Sequence, residues 1–280
     1  DALPICLALS AGVAPAAVAQ ETTRPEATGP IRFVSRHQGR FNGRALNYTA
    51  TVEETLVAAA ERRPAARFVT TAYVAEPVDA TRPVLFFFNG GPIVASSYLH
   101  MGAFGPKRYD PPRDVTEDVP EPYALLDNAD SLLDVADLVF IDPPETGFSR
   151  LVDEADRKAA YSDGADSRMT AGFIEAWLRG AGRAGSPRYL VGESYGTLRA
   201  ALTAGLLSES LPLDGVALMG QALNMIETSQ RRGNIVSYAV NLPALTAIAA
   251  FHKRIPGSED LKARIEESWT FAMTDYLSAL

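Results

Sequence analysis

Cysteine is almost missing from this chain: its 280 residues include one, Cys6. A lone thiol makes no intrachain disulfide, and it leaves no partner for a Cys-x-x-Cys redox pair or a cysteine zinc site. Histidine is nearly as scarce. His37, His100 and His252 lie far apart and form no His-x-x-x-His pair, so neither a metal nor another cofactor is expected. Basic charge is short as well, with 26 Lys and Arg against 34 Asp and Glu and a net charge of -8. No basic run is available to neutralise phosphates, which sets nucleic acid aside as a partner. No apolar run approaches the ~20 residues of a bilayer span, and no 20–50-residue period marks a solenoid or propeller.

What is present is the balance of a globular protein, 47% hydrophobic and 21% charged, long enough for one large α/β domain with an insertion. Residues 3–19, LPICLALSAGVAPAAVA, form a short apolar stretch ending in Ala17-Val18-Ala19, the small-x-small form of a signal-peptidase site. Residues 1–19 are therefore expected to be a partial signal peptide and 20–30 a polar linker, which makes the protein secreted or periplasmic. Cys6 falls inside that signal, so the mature chain would carry no thiol.

From residue 31 the pattern changes. Segments 31–36, 45–52 and 67–75 are β-rich and partly alternating, as in antiparallel strands with one wet face. Three short apolar runs follow, Val84–Phe88, Leu138–Ile141 and Tyr189–Val191, which suit buried parallel strands. Between the last two, residues 162–180 read as a helix with Phe173, Ile174, Trp177 and Leu178 on one side. A second helix is expected after Ser194, with Leu198, Ala201, Leu202, Gly205 and Leu206 as its apolar stripe, and residues 213–220 return as a strand. This alternation predicts an α/β core over 31–220, mostly a parallel sheet with helices on both faces. Beyond it, from about 257, Leu261, Ile265, Trp269, Met273, Tyr276 and Leu277 form one stripe of a helix with Ser258 as its N-cap.

The chemistry centres on Gly192-Glu193-Ser194-Tyr195-Gly196, a G-x-S-x-G motif after strand-like RYLV and before a helix-like run. Its glycines permit a tight strand-to-helix turn that lifts the Ser194 hydroxyl clear of the sheet, while the following backbone N–H groups face the substrate oxygen. Such an elbow needs a second oxyanion donor from a loop after an earlier strand. Phe88-Asn89-Gly90-Gly91-Pro92 supplies a glycine pair at that position, so Gly91 N–H is expected to face Tyr195 N–H.

Three blocks, FFFNGGP with SSYLHMGAFGP (86–106), NADSLLDVADLVFIDPPETGFSR (128–150) and SPRYLVGESYGTLRAALTAGLL (186–207), resemble the serine carboxypeptidases, especially bacterial ones. The resemblance implies an α/β-hydrolase fold with a helical cap insertion over 221–280. It also implies removal of the last residue from a peptide with a free C-terminus, through an acyl-enzyme on Ser194. It makes Gly91 and Tyr195 the oxyanion donors and assigns substrate binding to Asn89, Gly90 and Glu193, with Asn89 and Glu193 on the terminal carboxylate. Two carboxylates meet only when one holds a proton, so such a site would favour acid conditions. An esterase, an acyltransferase or a non-catalytic binding homologue on the same scaffold remains open, since an elbow fixes acyl chemistry but not the leaving group.

The chain departs from the family at Ile93-Val94, where Gly and small residues are usual, at Ala103, where eukaryotic members carry a second carboxylate-binding Glu, and at Pro144-Glu145 in place of Val-Gly. If the turn needs positive φ at position 93, Ile93 would be strained. The general base is the largest gap. The fold supplies its triad in the order Ser, Asp, His, and His252 is the only later His, with Asp214 or Glu227 between. The expectation is that both partners and the last strands lie in a C-terminal portion, leaving these 280 residues hydrolytically inert with an aggregation-prone sheet edge.

Overall fold

The computed structural model describes residues 30–58, 65–110, 112, 123–224, 232–256 and 259–280. The expected signal segment 1–19 with Cys6, as well as Glu227 and Ser258, lie outside these residues.

The first three strands, β1 (Arg32–Phe41), β2 (Arg44–Ala58) and β3 (Ala65–Glu76), form an antiparallel meander. The three apolar runs become β4 (Val84–Phe88), β7 (Asp137–Ile141) and β9 (Arg188–Glu193), and β10 (Gly215–Met219) follows. Between them lie a small hairpin, β5 (Lys107–Tyr109) with β6 (Leu125–Asp127), and a two-residue strand β8 (Arg150–Leu151) on β3. The sheet runs β1-β2-β3-β7-β4-β9-β10. Its β7, β4, β9 and β10 strands are mutually parallel, and β3 meets β7 antiparallel. An antiparallel entry joined to a parallel half, with the Ser-bearing turn after an inner strand, is the α/β-hydrolase fold.

Residues alternate sides along each strand, and the inner strands bury both sides, which is why their sequences read as unbroken apolar runs. On one face Phe68, Phe86, Phe88, Val139, Ile141 and Leu190 meet the long helix α1 (Asp163–Gly180) through Met169, Phe173, Ile174, Trp177 and Leu178. Phe68 stacks on Phe173 at 5.5 Å, and Phe86 meets Trp177 edge-on at 5.5 Å. Each such ring removed from water contributes about 1.5–3 kcal/mol. On the other face Phe87, Leu138, Phe140 and Val191 pack beneath the short helical turns 97–104 and 132–134, through Leu99, Phe104 and Leu133.

Helix α2 (Tyr195–Leu207) starts directly after Ser194 and crosses both β9 and α1. Its buried face differs from the apolar stripe expected from sequence. Gly196, Thr197, Arg199, Ala200, Thr203 and Leu207 are buried, while Ala201, Leu202, Gly205 and Leu206 are exposed. The reason is a charge: Arg199 points inward because a carboxylate awaits it there, and its helix face goes with it. The C-terminal helices α3 (Ile235–Phe251) and α4 (Leu261–Phe271) pack on each other. The cap of α4 is Asp260, whose carboxylate accepts from Ala263 N–H at 3.0 Å. Its inner side is centred on the small residues Ser268 and Ala272, with Ser268 Oγ 2.7 Å from Thr246 Oγ1, whereas Leu261, Trp269 and Met273 of the expected stripe are exposed. Small residues win that face because they let two helices approach closely.

Candidate active site

Every structural demand of the elbow falls on Ser194. It has φ 57° and ψ -124°, a backbone region that side-chain-bearing residues rarely occupy and that persists only where the surroundings enforce it. Enforcement comes from both sides. Its N–H donates to Met219 O at 2.9 Å, and its carbonyl accepts from Thr197 N–H and from Thr197 Oγ1 at 2.7 Å. The glycines around it leave no space for anything larger. A Cβ on Gly192 would lie 2.2 Å from Gly196 O, and one on Gly196 would lie 2.8 Å from Phe88 O. The Ser194 side chain caps no helix N–H, so its half-buried hydroxyl stays available.

The Asn-Gly-Gly loop sits against this elbow. A Cβ added to Gly90 would come within 2.5 Å of Tyr195 N and 2.8 Å of the Ser194 Cβ, so only a glycine lets the two backbones meet. Gly91 carries the positive φ of the turn, 104°. Ile93 is not among the positive-φ residues, so the strain considered for it from sequence does not arise; half exposed, it borders a small pocket with Pro92, Pro143, Pro144, Tyr161 and Tyr195. At the other departure Glu145 does take the glycine-like conformation, φ 64°. Its carboxylate offsets that cost, accepting from Leu151 N–H at 2.9 Å and pairing with Arg157 at 2.8 Å.

Asn89 is buried beside Glu193. Leu99 N–H needs an acceptor and takes Asn89 Oδ1 at 3.2 Å, which turns the amide nitrogen outward to donate to Glu193 Oε2 at 3.1 Å. A side-chain amide has two N–H donors, and Glu193 takes one of them. The expected site residues Asn89, Gly90, Gly91, Glu193, Ser194 and Tyr195 thus occupy one corner, at the carboxyl ends of β4 and β9, where open α/β sheets bind their ligands.

Three further groups, absent from the sequence reading, hold this corner. Arg199 bonds Asp166 through Nε at 2.9 Å, Asn89 O through Nη1 at 2.9 Å and Pro92 O through Nη2 at 3.2 Å. Asp142 accepts from Ser96 N–H at 2.8 Å and from Ser96 Oγ at 2.7 Å, fixing the far side of the loop. Asp163 accepts from Tyr195 Oη at 2.8 Å. Burial raises the Tyr195 phenol above its ordinary pKa, and the bond to Asp163 adds to this. Burial likewise raises Asp166, against the pull of Arg199. The signal was there in sequence: Arg199 is the single charge in the helix YGTLRAALTAGLL.

None of the histidines bonds Ser194. His37 pairs with Ser35, His100 with Tyr73, and His252 ends α3 against the Phe251 ring. Asp214 accepts from Arg188 N–H at 2.8 Å at the opposite ends of the parallel strands. Among the described residues no group of acidic, His or Cys side chains is placed to hold a metal.

The profile of the serine carboxypeptidase family matches residues 69–214, just over half the chain and all of the site described above. The chain belongs to the serine carboxypeptidase family. No curated protein matches this family member significantly. Among solved structures it is similar to the prohormone-processing carboxypeptidase Kex1(Δ)p of Saccharomyces cerevisiae, with 16% identity over 82% of this chain and 48% of that one and a TM-score of 0.48. It is also similar to a proline iminopeptidase of Mycobacterium smegmatis, with 16% identity over 81% and 58% and a TM-score of 0.39. A third likeness is the juvenile hormone epoxide hydrolase of Bombyx mori, with 12% identity over 77% and 44% and a TM-score of 0.34. The serine carboxypeptidase chain spans about half the length of these structures. Distant likenesses of this kind decide nothing about its chemistry.

Proposed function

We propose that these residues form the nucleophile-bearing part of a serine carboxypeptidase that cleaves the last peptide bond of a substrate with a free C-terminus. In this reading Ser194 Oγ bonds to the carbonyl carbon, and the carbonyl oxygen becomes an oxyanion received by the N–H groups of Gly91 and Tyr195. The C–N bond then breaks, the terminal amino acid leaves with the proton given up by Ser194 Oγ, and water hydrolyses the acyl-enzyme, releasing the shortened peptide and restoring the hydroxyl. The second N–H of Asn89, beside Glu193, meets the terminal carboxylate.

The observation that carries the reading is the fit between the strained Ser194 turn and Gly90, which presses against Tyr195 N with no room for a side chain. The test is to treat the full-length protein with a fluorophosphonate and map the modified residue by mass. The label is expected on Ser194 and is expected to vanish in Ser194→Ala, with release of the C-terminal amino acid from a blocked dipeptide vanishing alongside. A label elsewhere, or none, sinks the proposal. Faster turnover of simple esters with no cleavage of peptides would move the function to an esterase on the same elbow, and Ala103 favours looking, since it leaves the carboxylate grip one acid short of the eukaryotic pattern.

A further inference from the structure

We infer that Arg199 is the positioning residue of the oxyanion loop, its guanidinium setting where both backbone donors point. The inference rests on the reading of Ser194, Gly91 and Tyr195 given above. The two glycines of the loop leave its backbone with little resistance of its own, so a donor on Gly91 stays aimed only if something outside the loop holds it. Arg199 takes the carbonyl of Asn89 on one side of the glycine pair and the carbonyl of Pro92 on the other, at 2.9 and 3.2 Å. The rigid guanidinium plane fixes the separation of these two carbonyls, and the peptide carrying Gly91 N–H lies between them.

The same group also packs on the side chain of the residue that carries the second donor. Its carbon lies 5.3 Å from the centre of the Tyr195 ring and 5.5 Å from that of Phe88, one on the elbow and one at the end of β4. Nε is held by both oxygens of Asp166, at 3.1 and 2.9 Å, so the guanidinium is itself anchored to α1. Arg199 is only 2% exposed. Besides the bonds to its carboxylate, Arg199 gives two donors to the carbonyls that bracket the glycine pair. Lysine offers a point charge with no fork, so it can keep the pair with Asp166 but cannot also span both carbonyls.

The experiment compares full-length native protein with Arg199→Lys and Arg199→Met, reading amide hydrogen exchange, fluorophosphonate labelling and turnover of a blocked dipeptide together. Exchange at Gly90, Gly91 and Ile93 is expected to accelerate at least tenfold in Arg199→Lys while Phe86 to Phe88 stay as in the native protein. Turnover should fall roughly 30- to 100-fold with KM changed less than about threefold, the pattern of a donor displaced at the transition state. Arg199→Met should be slower still. Loop exchange equal to native in Arg199→Lys overturns the inference, and so does faster exchange spread evenly over β4, β9 and α2, which would mean a purely structural pair. If the native protein is never labelled at Ser194, the functional reading falls on its own, and the exchange data still decide whether Arg199 holds the loop.

Discussion

The parallel strands end in two buried arginine–aspartate clusters, and the contrast between them separates what folds this molecule from what aims it. At the amino ends, Asp137 accepts from Arg82 Nε at 2.9 Å, from Ala75 N–H at 3.0 Å and from Arg183 Nη1. Arg183 also bonds Ser186 Oγ and Arg82 O, and Arg82 reaches Ala136 O. All of these residues sit where β4, β7 and β9 begin, so the cluster fastens three strand starts to each other. At the carboxyl ends, Arg199 and Asp166 fasten a loop that belongs to no strand. The chemistry is the same in both places, a guanidinium shared between a carboxylate and backbone carbonyls. What differs is where the carbonyls lie: at the amino ends they belong to residues just before β4 and β7, and at the carboxyl ends to the loop that carries the glycine pair. At the strand starts the cluster adds stability; on the loop it adds aim.

The hardest blow to this division would come from Asp137→Ala. It leaves two guanidinium groups in a buried place without their carboxylate, and breaking a buried pair in this way costs about 3–5 kcal/mol. Urea unfolding should register that loss in full. Fluorophosphonate reactivity per folded molecule should stay native, because nothing at the amino ends touches the Ser194 corner. A tenfold fall in that reactivity would show that the strand starts set the site as well, and the contrast would dissolve.

A slightly smaller effect probes a group standing behind the loop. His100 follows Leu99, whose N–H bonds Asn89, and its ring is stacked on Phe140 at 4.3 Å with Nε2 2.7 Å from Tyr73 Oη. Burial pushes the His100 pKa down from 6.5 to about 4. The unfolded chain therefore takes up a proton over that interval and the native state does not, so stability present above pH 6.5 is lost as pH falls towards 4. The full span is worth about 3 kcal/mol. His100→Gln should flatten the acid limb of a stability-versus-pH curve between pH 6.5 and 4. An unchanged limb would place the acid sensitivity in the carboxylates, away from the ring behind the oxyanion loop.

How legible this was in the sequence follows from the same physics. Strands β4 and β7 could be read almost to the residue and β9 at its buried centre, because burial on both sides demands an apolar run and little else satisfies it. The site corner was legible because backbone contact demands glycine: Gly90, Gly192 and Gly196 each lack room for one methyl, and that requirement is written in the sequence. Arg199, Asp166 and Asp142 were not legible as partners. A buried pair is defined by two residues distant in the chain, and neither announces the other. The missing partner of Arg199 then misled the reading of α2, where an apolar stripe was assembled from residues on the wrong side of the helix.

That error yields the gentlest test of the comparison, on a helix whose inner face is decided by a charge. Leu206 belongs to the apolar stripe by spacing, yet it is 46% exposed in this chain, while its neighbour Leu207 is 1% exposed and packs into the main core. If Arg199 turns the helix as the structure shows, Leu206→Gln removes little buried surface and changes stability by no more than about 0.5 kcal/mol. Leu207→Ala opens a cavity in the main core and costs about 2–4 kcal/mol. Paired urea titrations of this chain would read both. The reverse order, a costly Leu206 and a tolerant Leu207, would put the apolar stripe inside and Arg199 outside, and the aiming role of the carboxyl-end cluster would go with it.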